Sequence, residues 1–219
     1  MWIINKTVNE ILNLFLPENC LGCGQKNTYL CPECVNKMPA PPFGKDSRVL
    51  AATSYENPTI KKAIHALKYK KAGKIALPLA QLIEVRLHSI FNERGSTCLP
   101  VRQASIIIPV PMTKKRLRQR GFNQAEKIAR HLSDITSLPL LTNVLYKNKE
   151  TASQVDIKSR EKRLKNLKNC FCVKNPEFIK DKNIFLLDDV FTTGATISEC
   201  RKVLMKNGAR RVTGVVVAC

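Results

Sequence analysis

The chain is poor in acid. Seventeen Asp and Glu stand against thirty-seven Lys and Arg in 219 residues, a formal net charge of +20. That deficit points to a polyanionic partner, nucleic acid or a pyrophosphate-bearing substrate, over the alternative of a merely solvated Lys-rich surface. Aromatics are also scarce, at 6% with a single Trp. The aromatics nearest the basic runs are Phe122, Tyr146 and Phe171. A nucleic acid would therefore be held through its backbone charge and not by base stacking. Histidine is limited to His65, His88 and His131, all in helical patterns, which reads as surface or satisfied core positions and not as catalysts. No internal repeat is visible. No run is long and apolar enough to span a bilayer. The stretch Met1 to Leu16 carries Trp2, Ile3, Ile4, Val8, Ile11, Leu12, Leu14, Phe15 and Leu16, but Asn5, Lys6, Asn9, Glu10 and Asn13 interrupt it. It lacks a basic leading region and a small-residue cleavage site, so the expectation is an amphipathic helix packed on the body, not a signal peptide. A weak membrane-surface contact is the minority reading. Hydrophobic content of 44% is that of a globular chain, long enough for one good core and a small appendage.

What is present begins with nine cysteines. Five are scattered: Cys98, Cys170, Cys172, Cys200 and Cys219. Four form C-x2-C-x7-C-x2-C, namely Cys20, Cys23, Cys31 and Cys34. An odd count with one paired cluster reads as reduced thiols plus a metal site, hence a cytoplasmic protein. Each CxxC presents two thiolates to one ion, and four thiolates in tetrahedral array suit Zn2+. Gly22 and Gly24 supply the turn freedom such knuckles need. So short a segment has little core, so the zinc is read as structural, supplying much of the folding energy. An iron–sulfur cluster uses the same ligands and stays open, as does redox pairing, which two matched pairs disfavour.

Pro39, Pro41, Pro42 and Gly44 form a stiff break after the cysteines. It divides residues 1–44, an N-terminal helix and zinc-binding subdomain, from a larger domain over residues 45–219. Downstream, strand-like runs (Val49–Tyr55, Ser105–Val110, Leu140–Tyr146, Ile184–Val190, Val212–Ala218) alternate with helical patterns (Pro58–Tyr69, Ile75–Phe91, Asn123–Leu132, Thr196–Asn207, stopped by Gly208). This alternation predicts an α/β fold, a mostly parallel sheet with helices on both faces.

One run concentrates the chemistry. The apolar strand from Ile184 ends in Asp188 and Asp189, and Val190, Phe191, Thr192, Thr193, Gly194, Ala195 and Thr196 lead into a helix. Open α/β sheets bind ligands at the C-terminal ends of their strands. There, paired carboxylates accept hydrogen bonds from ribose hydroxyls, and a Thr/Gly turn at a helix N-terminus offers N–H and O–H donors to a phosphate.

Two basic segments accompany it. After Ile108-Pro109-Val110-Pro111 comes Lys114-Lys115-Arg116-Leu117-Arg118-Gln119-Arg120-Gly121-Phe122-Asn123-Gln124. The prolines forbid an immediate helix, Gly121 permits a tight turn, and Asn123 is placed to cap the next helix. If the two strands are parallel, these cations enter the same side of the sheet as the acid pair, where Arg can grip a pyrophosphate bidentately. Lys68, Arg116, Arg118 and Arg120 are the candidates for that role. The second segment, Lys149 to Lys168, is a candidate lid or a solvated helix.

The run Asp188–Thr196 resembles the phosphoribosyl pyrophosphate (PRPP) motif of type I phosphoribosyltransferases. The chain as a whole resembles the ComF (competence protein F) family. The parts appear in order: an apolar N-terminal segment, the double CxxC, Leu67-Lys68-Tyr69, Pro109-Val110-Pro111 with Arg116, Arg120-Gly121-Phe122-Asn123-Gln124, Thr151…Gln154…Arg160…Asn166…Phe171, and the acid-pair motif. The resemblance implies a type I phosphoribosyltransferase-like fold with an N-terminal zinc finger. It implies Asp188 and Asp189 as ligands of the ribose 2′- and 3′-hydroxyls and the Thr192–Thr196 turn as the 5′-phosphate cradle. Mg2+ is expected with PRPP. It further implies a role in DNA uptake during natural transformation, handling single-stranded DNA at the cytoplasmic side of the membrane together with the uptake machinery. The residues name no acceptor and no base for it, so pentosyl transfer is left open. The rival reading is a single-stranded DNA-binding module whose PRPP site is vestigial or regulatory.

Overall fold

Strand residues 184–187 and 215–217 are apolar without alternation, as strands buried on both faces must be. The computed structural model describes residues 19–41, 48–69, 72–93, 105–148, 167 and 169–219. The expected N-terminal helix, Cys98 and nearly all of the Lys149–Lys168 segment lie outside them. Four strands form the main sheet: β1 (Val49–Thr53), β2 (Ser105–Pro109), β5 (Asn183–Val190) and β6 (Arg211–Ala218), in the order β1-β6-β5-β2, every neighbouring pair parallel. Register places Ile108 beside Leu186 and Asp188 beside Val216.

Helices cover both faces, as the alternation predicts. On one side lie α2 (Pro58–Tyr69), α3 (Ala76–Glu93) and α5 (Gln124–Thr136). Their buried Ile60, Leu67, Leu79, Ile83, Ile128 and Leu132 share a core with Phe185 and Leu187 of β5. On the other side α6 (Ala195–Lys206) packs Ile197, Cys200 and Leu204 into a core with Ile184 and Leu186. Successive strand residues point to opposite faces, so one strand serves both cores. Gly208, at φ +95°, ends α6 in the left-handed conformation that glycine favours.

One expectation changes. The run Leu140–Tyr146 is not one strand. Leu140 makes only an isolated parallel bridge to Ile107, residues 142–144 bend away, and Leu145–Lys147 (β3) pairs antiparallel with Phe171–Val173 (β4). Pro139 has no N–H for a ladder, and its carbonyl accepts from Ile107 N–H at 2.8 Å. The basic segment after Pro111 shows the delay that the prolines impose. Lys114–Arg120 form a short helix, α4, capped by Thr113, whose Oγ1 accepts from Arg116 N–H at 3.4 Å. The prolines delay this helix by two residues and do not prevent it.

The cysteine segment closes with α1 (Pro32–Asn36). Cys20, Leu30, Cys31 and Val35 are buried in the same core as Ile60, Ile64 and Leu79. Among the described residues, no helix is long and apolar enough to cross a membrane.

Candidate functional site

Strand β5 ends where its two acids part. Even-numbered residues 184 and 186 face the α6 core, and odd-numbered 185 and 187 face the opposite one. Asp188 and Asp189 continue that alternation, so they straddle the sheet edge. Asp189 is buried on the α2 side, where its Oδ2 accepts Lys68 Nζ at 2.9 Å. Asp188 sits on the α6 side near Lys147 of β3 and Cys200, and its Oδ1 accepts the Asp189 N–H at 2.8 Å. Burial, with the Asp189 carboxylate beside it, pushes Asp188 up to about 7. Burial, with the Arg116 charge next, holds the Lys147 ammonium below its ordinary value. Burial drives the Cys200 thiol well up, so it stays protonated.

Both acids line one cleft of about 820 Å³. The whole turn Val190–Thr196 lines it too. Gly194 is the N-cap of α6 at φ +75°, and no side chain caps that helix. A Cβ on Gly194 would lie 2.6 Å from Phe191 Cζ, so glycine alone fits beneath that ring. Thr193 Oγ1 stands 3.5 Å from Ala195 N. The first-turn N–H groups of a helix point out of its N-terminus, here toward the cleft, and favour an anion.

The opposite wall is cationic. Pairing of β2 with β5 in parallel brings the β2 exit to the same sheet edge. Arg116 and Arg120, four residues apart on α4, line the cleft together with Lys68 and Lys147. Arg118 points away and is exposed, outside the lining. Lys68 is engaged with Asp189. Asn123 anchors this wall: its Nδ2 donates to Val110 O at 3.0 Å, and its Oδ1 accepts from Ala125 N–H at 3.1 Å, capping α5 as expected. Gly121, at φ +82°, makes the turn between α4 and α5.

Lys147, Tyr69, Gln124 and Phe171 also line the cleft. The sequence offered no sign of Lys147, which comes from a strand whose bounds were misplaced. Tyr69 and Gln124 lay inside the quoted motif segments without a role.

The four thiols form a second site. Cys20, Cys23, Cys31 and Cys34 bring their Sγ atoms within 4.8 Å of one another, with Cys23 and Cys31 at 3.6 Å. Four thiolates at the Zn–S distance sit roughly 3.8 Å apart, so the set fits one tetrahedral ion. Burial opposes ionisation of Cys20, but backbone N–H groups of Cys23, Cys31 and Gly22 bring it down to about 6. Burial, then Cys31, pushes Cys34 up to about 12. A Cβ at Gly22 would lie 2.8 Å from Cys34 Sγ, which reserves that position for glycine.

The raised Asp188 carboxyl has a stability consequence. The fold favours its protonated form, so its contribution is complete below the unfolded value near 4 and is lost as pH rises through about 7. Asp188→Asn is therefore expected to gain stability over the wild type between pH 4.5 and pH 7.5. Urea midpoints at the two pH values measure this; parallel pH slopes for the two proteins would refute it.

No protein-family model matches the chain. Competence protein F of Haemophilus influenzae is 31% identical over 195 residues, spanning 88% of this chain and 81% of that protein. DNA utilization protein YhgH of Escherichia coli O157:H7 is 31% identical over 196 residues, 88% of this chain and 80% of the relative. Among solved structures, hypoxanthine phosphoribosyl transferase of Trypanosoma cruzi overlaps 64% of this chain and 63% of its own, at 9% identity and TM-score 0.37. Phosphoribosylpyrophosphate synthetase of Mycobacterium smegmatis overlaps 58% of this chain and 32% of its own, at 18% identity and TM-score 0.31. The chain thus spans about a third of that synthetase and under two thirds of that transferase; both likenesses are partial. Competence protein ComFC of Bacillus subtilis is 33% identical over 199 residues, 86% of this chain and 78% of the relative. Identity at this level across most of both chains means that the chain belongs to the competence protein F (ComF) family.

Proposed function

We propose that the chain binds PRPP with Mg2+ in the cleft and serves DNA uptake in natural transformation, on the cytoplasmic side of the membrane. The observation that carries the small-molecule part is the straddled acid pair feeding a glycine-capped helix N-terminus, with Arg116 and Arg120 across the same cleft. Asp188 and Asp189 take the ribose hydroxyls, and the Thr192–Thr196 turn takes the 5′-phosphate. Arg116, Arg120 and Lys68 face the pyrophosphate. Mg2+, when bound with PRPP, would neutralise charge on the pyrophosphate beside Arg116 and Arg120. If C1–O bond breakage occurs, fixed cations at the leaving group lower its barrier. The relatives named for competence and DNA utilization support the transformation role.

Titration calorimetry with PRPP and Mg2+ tests the site. The variant carrying Asp188→Asn and Asp189→Asn is expected to bind at least about tenfold more weakly, since hydrogen bonds to charged groups are among the stronger ones. Equal binding by wild type and variant would remove the ribose assignment.

The four-thiol cluster holds one structural Zn2+. Metal analysis is expected to give one zinc per chain, and chelation is expected to lower the melting temperature sharply, because binding energy is folding energy in so small a segment. A metal-free chain with unchanged melting would refute this.

A second reading, direct contact with single-stranded DNA, is favoured by one observation. Lys114, Lys115 and Arg118 are exposed on α4, beside the cleft but not in its lining. Three such contacts predict a log–log salt slope for oligonucleotide binding of about −2. Absence of binding at low salt would leave only the PRPP reading.

A further inference from the structure

A second cationic surface lies at the other end of the sheet from the cleft, where β5 and β6 begin. Two turns run side by side there. The Asp181 N–H donates to Gly208 O at 2.8 Å, and the Arg210 N–H donates to Lys182 O at 2.9 Å. Register sets Asn183 of β5 level with Arg211 of β6. Lys180, Lys182, Lys206, Arg210 and Arg211 stand along this edge, and all five are exposed. None of them forms an ion pair among the described residues. The acids of the two turns are Glu177 and Asp181, so the edge stays positive. Lys206 also answers the negative end of α6. Lys182, Arg210 and Arg211 stand at strand starts, where no helix end calls for a cation.

Two apolar side chains are exposed among these charges, Phe178 at 51% and Met205 at 37%. Phe178 closes a single 3-10 turn, Pro176–Phe178. Pro176 O accepts the N–H groups of both Ile179 and Lys180, each at 3.1 Å. Ile179 is fully buried beside Leu204 and Ala209, so the backbone that presents the Phe178 ring is anchored in the core. Single-stranded nucleic acid is held by aromatics that stack successive bases along a groove. One ring and one thioether among ammonium and guanidinium groups fit a different surface. At a bilayer interface apolar tips enter the headgroup layer, while cations on long stems stay with the phosphates and carboxylates. We propose that this edge of the sheet docks on an anionic lipid surface, with Phe178 and Met205 as the inserted tips and the five cations as headgroup contacts. Strand β5 runs eight residues from this edge to the acid pair. That length separates the two ends by roughly 25 Å, beyond the reach of screened charge at physiological salt. Docking here turns the cleft away from the lipid and leaves it open to its own ligand. The contact gives the membrane-side location proposed above a surface, and it does not rest on the PRPP reading.

The experiment is sedimentation of the full zinc-loaded chain with vesicles of phosphatidylcholine alone or mixed in equal parts with phosphatidylserine. The wild type is expected to bind the mixed vesicles and not the neutral ones. Lys182→Gln with Arg211→Gln is expected to weaken binding by about twenty-fivefold, about fivefold for each cation near the surface. Phe178→Ser keeps every charge and is expected to weaken binding about tenfold, the loss of one inserted aromatic. These side chains are exposed, so both variants should melt with the wild type and bind PRPP as it does. The whole chain is basic, so a control removes equal charge or more elsewhere. Lys114→Gln, Lys115→Gln and Arg118→Gln together, on α4, should leave vesicle binding within about twofold. Equal losses from the α4 variant and the edge variant would overturn the docking face, since binding would then follow net charge alone. Wild-type vesicle binding by Phe178→Ser would overturn the insertion. An edge variant that loses an oligonucleotide but keeps the vesicles would assign the edge to nucleic acid and overturn the proposal. Loss of vesicle binding in the edge variants beside a chain that binds no PRPP would keep the docking face and remove only the cleft assignment.

Discussion

The double burial of strand β5 is the constraint from which the rest follows. A strand covered on both faces must be apolar at every position, and it can turn polar only where the cover ends. In β5 the change comes between Leu187, which is fully buried, and Asp188. Two charged residues in succession at that point cannot share a face. One goes to the α2 side and meets Lys68; the other goes to the α6 side and lies near Lys147. The alternation of the pleat thereby sets two carboxylates on the two lips of a single cleft and gives them different electrostatic surroundings.

That asymmetry governs the charge of the site. Asp189 pairs with Lys68, while burial and the neighbouring Asp189 carboxylate favour the neutral form of Asp188. Four cationic side chains line the cleft against these two acids. The net positive potential suits a ligand with several phosphate charges and opposes a cationic one. The excess of base in the composition is therefore concentrated in part where a polyanion would enter, and in part on the exposed side of α4.

The cysteine knuckle is joined to this cleft through packing. Cys20 and Cys31 share a core with Ile64 and Leu67 of α2, the helix that carries Lys68 and Tyr69. The space beside Gly22 is bounded by Cys34 Sγ and, at 3.7 Å, by Thr59 of the same helix. An ion that fixes the thiols would also brace the helix that supplies the partner of Asp189.

Much of this was legible in the chain. The apolar runs at Ile184–Leu187 and Val215–Val217, the acid pair followed by Thr-Thr-Gly, the Asn123 cap and the four-cysteine spacing are local patterns, and local patterns survive folding when burial and backbone geometry both favour them. The α4 helix was hidden because prolines at 109 and 111 suggest a break, while Thr113 supplies a cap that restarts the helix. The bounds of β3 were hidden because its partner, Phe171–Val173, lies more than twenty residues away, and pairing over that distance leaves no periodic trace. The order of residues alone determined which groups are chemically able to hold a sugar phosphate and a metal ion. Tertiary structure decided which of them meet: that Lys68 spends its charge on Asp189, that Arg116 and Arg120 face inward while Arg118 does not, and that Gln124 is buried behind Arg120. The physical reason is that helical phase and strand register turn neighbours in sequence to opposite sides, and only packing chooses which side becomes the cleft.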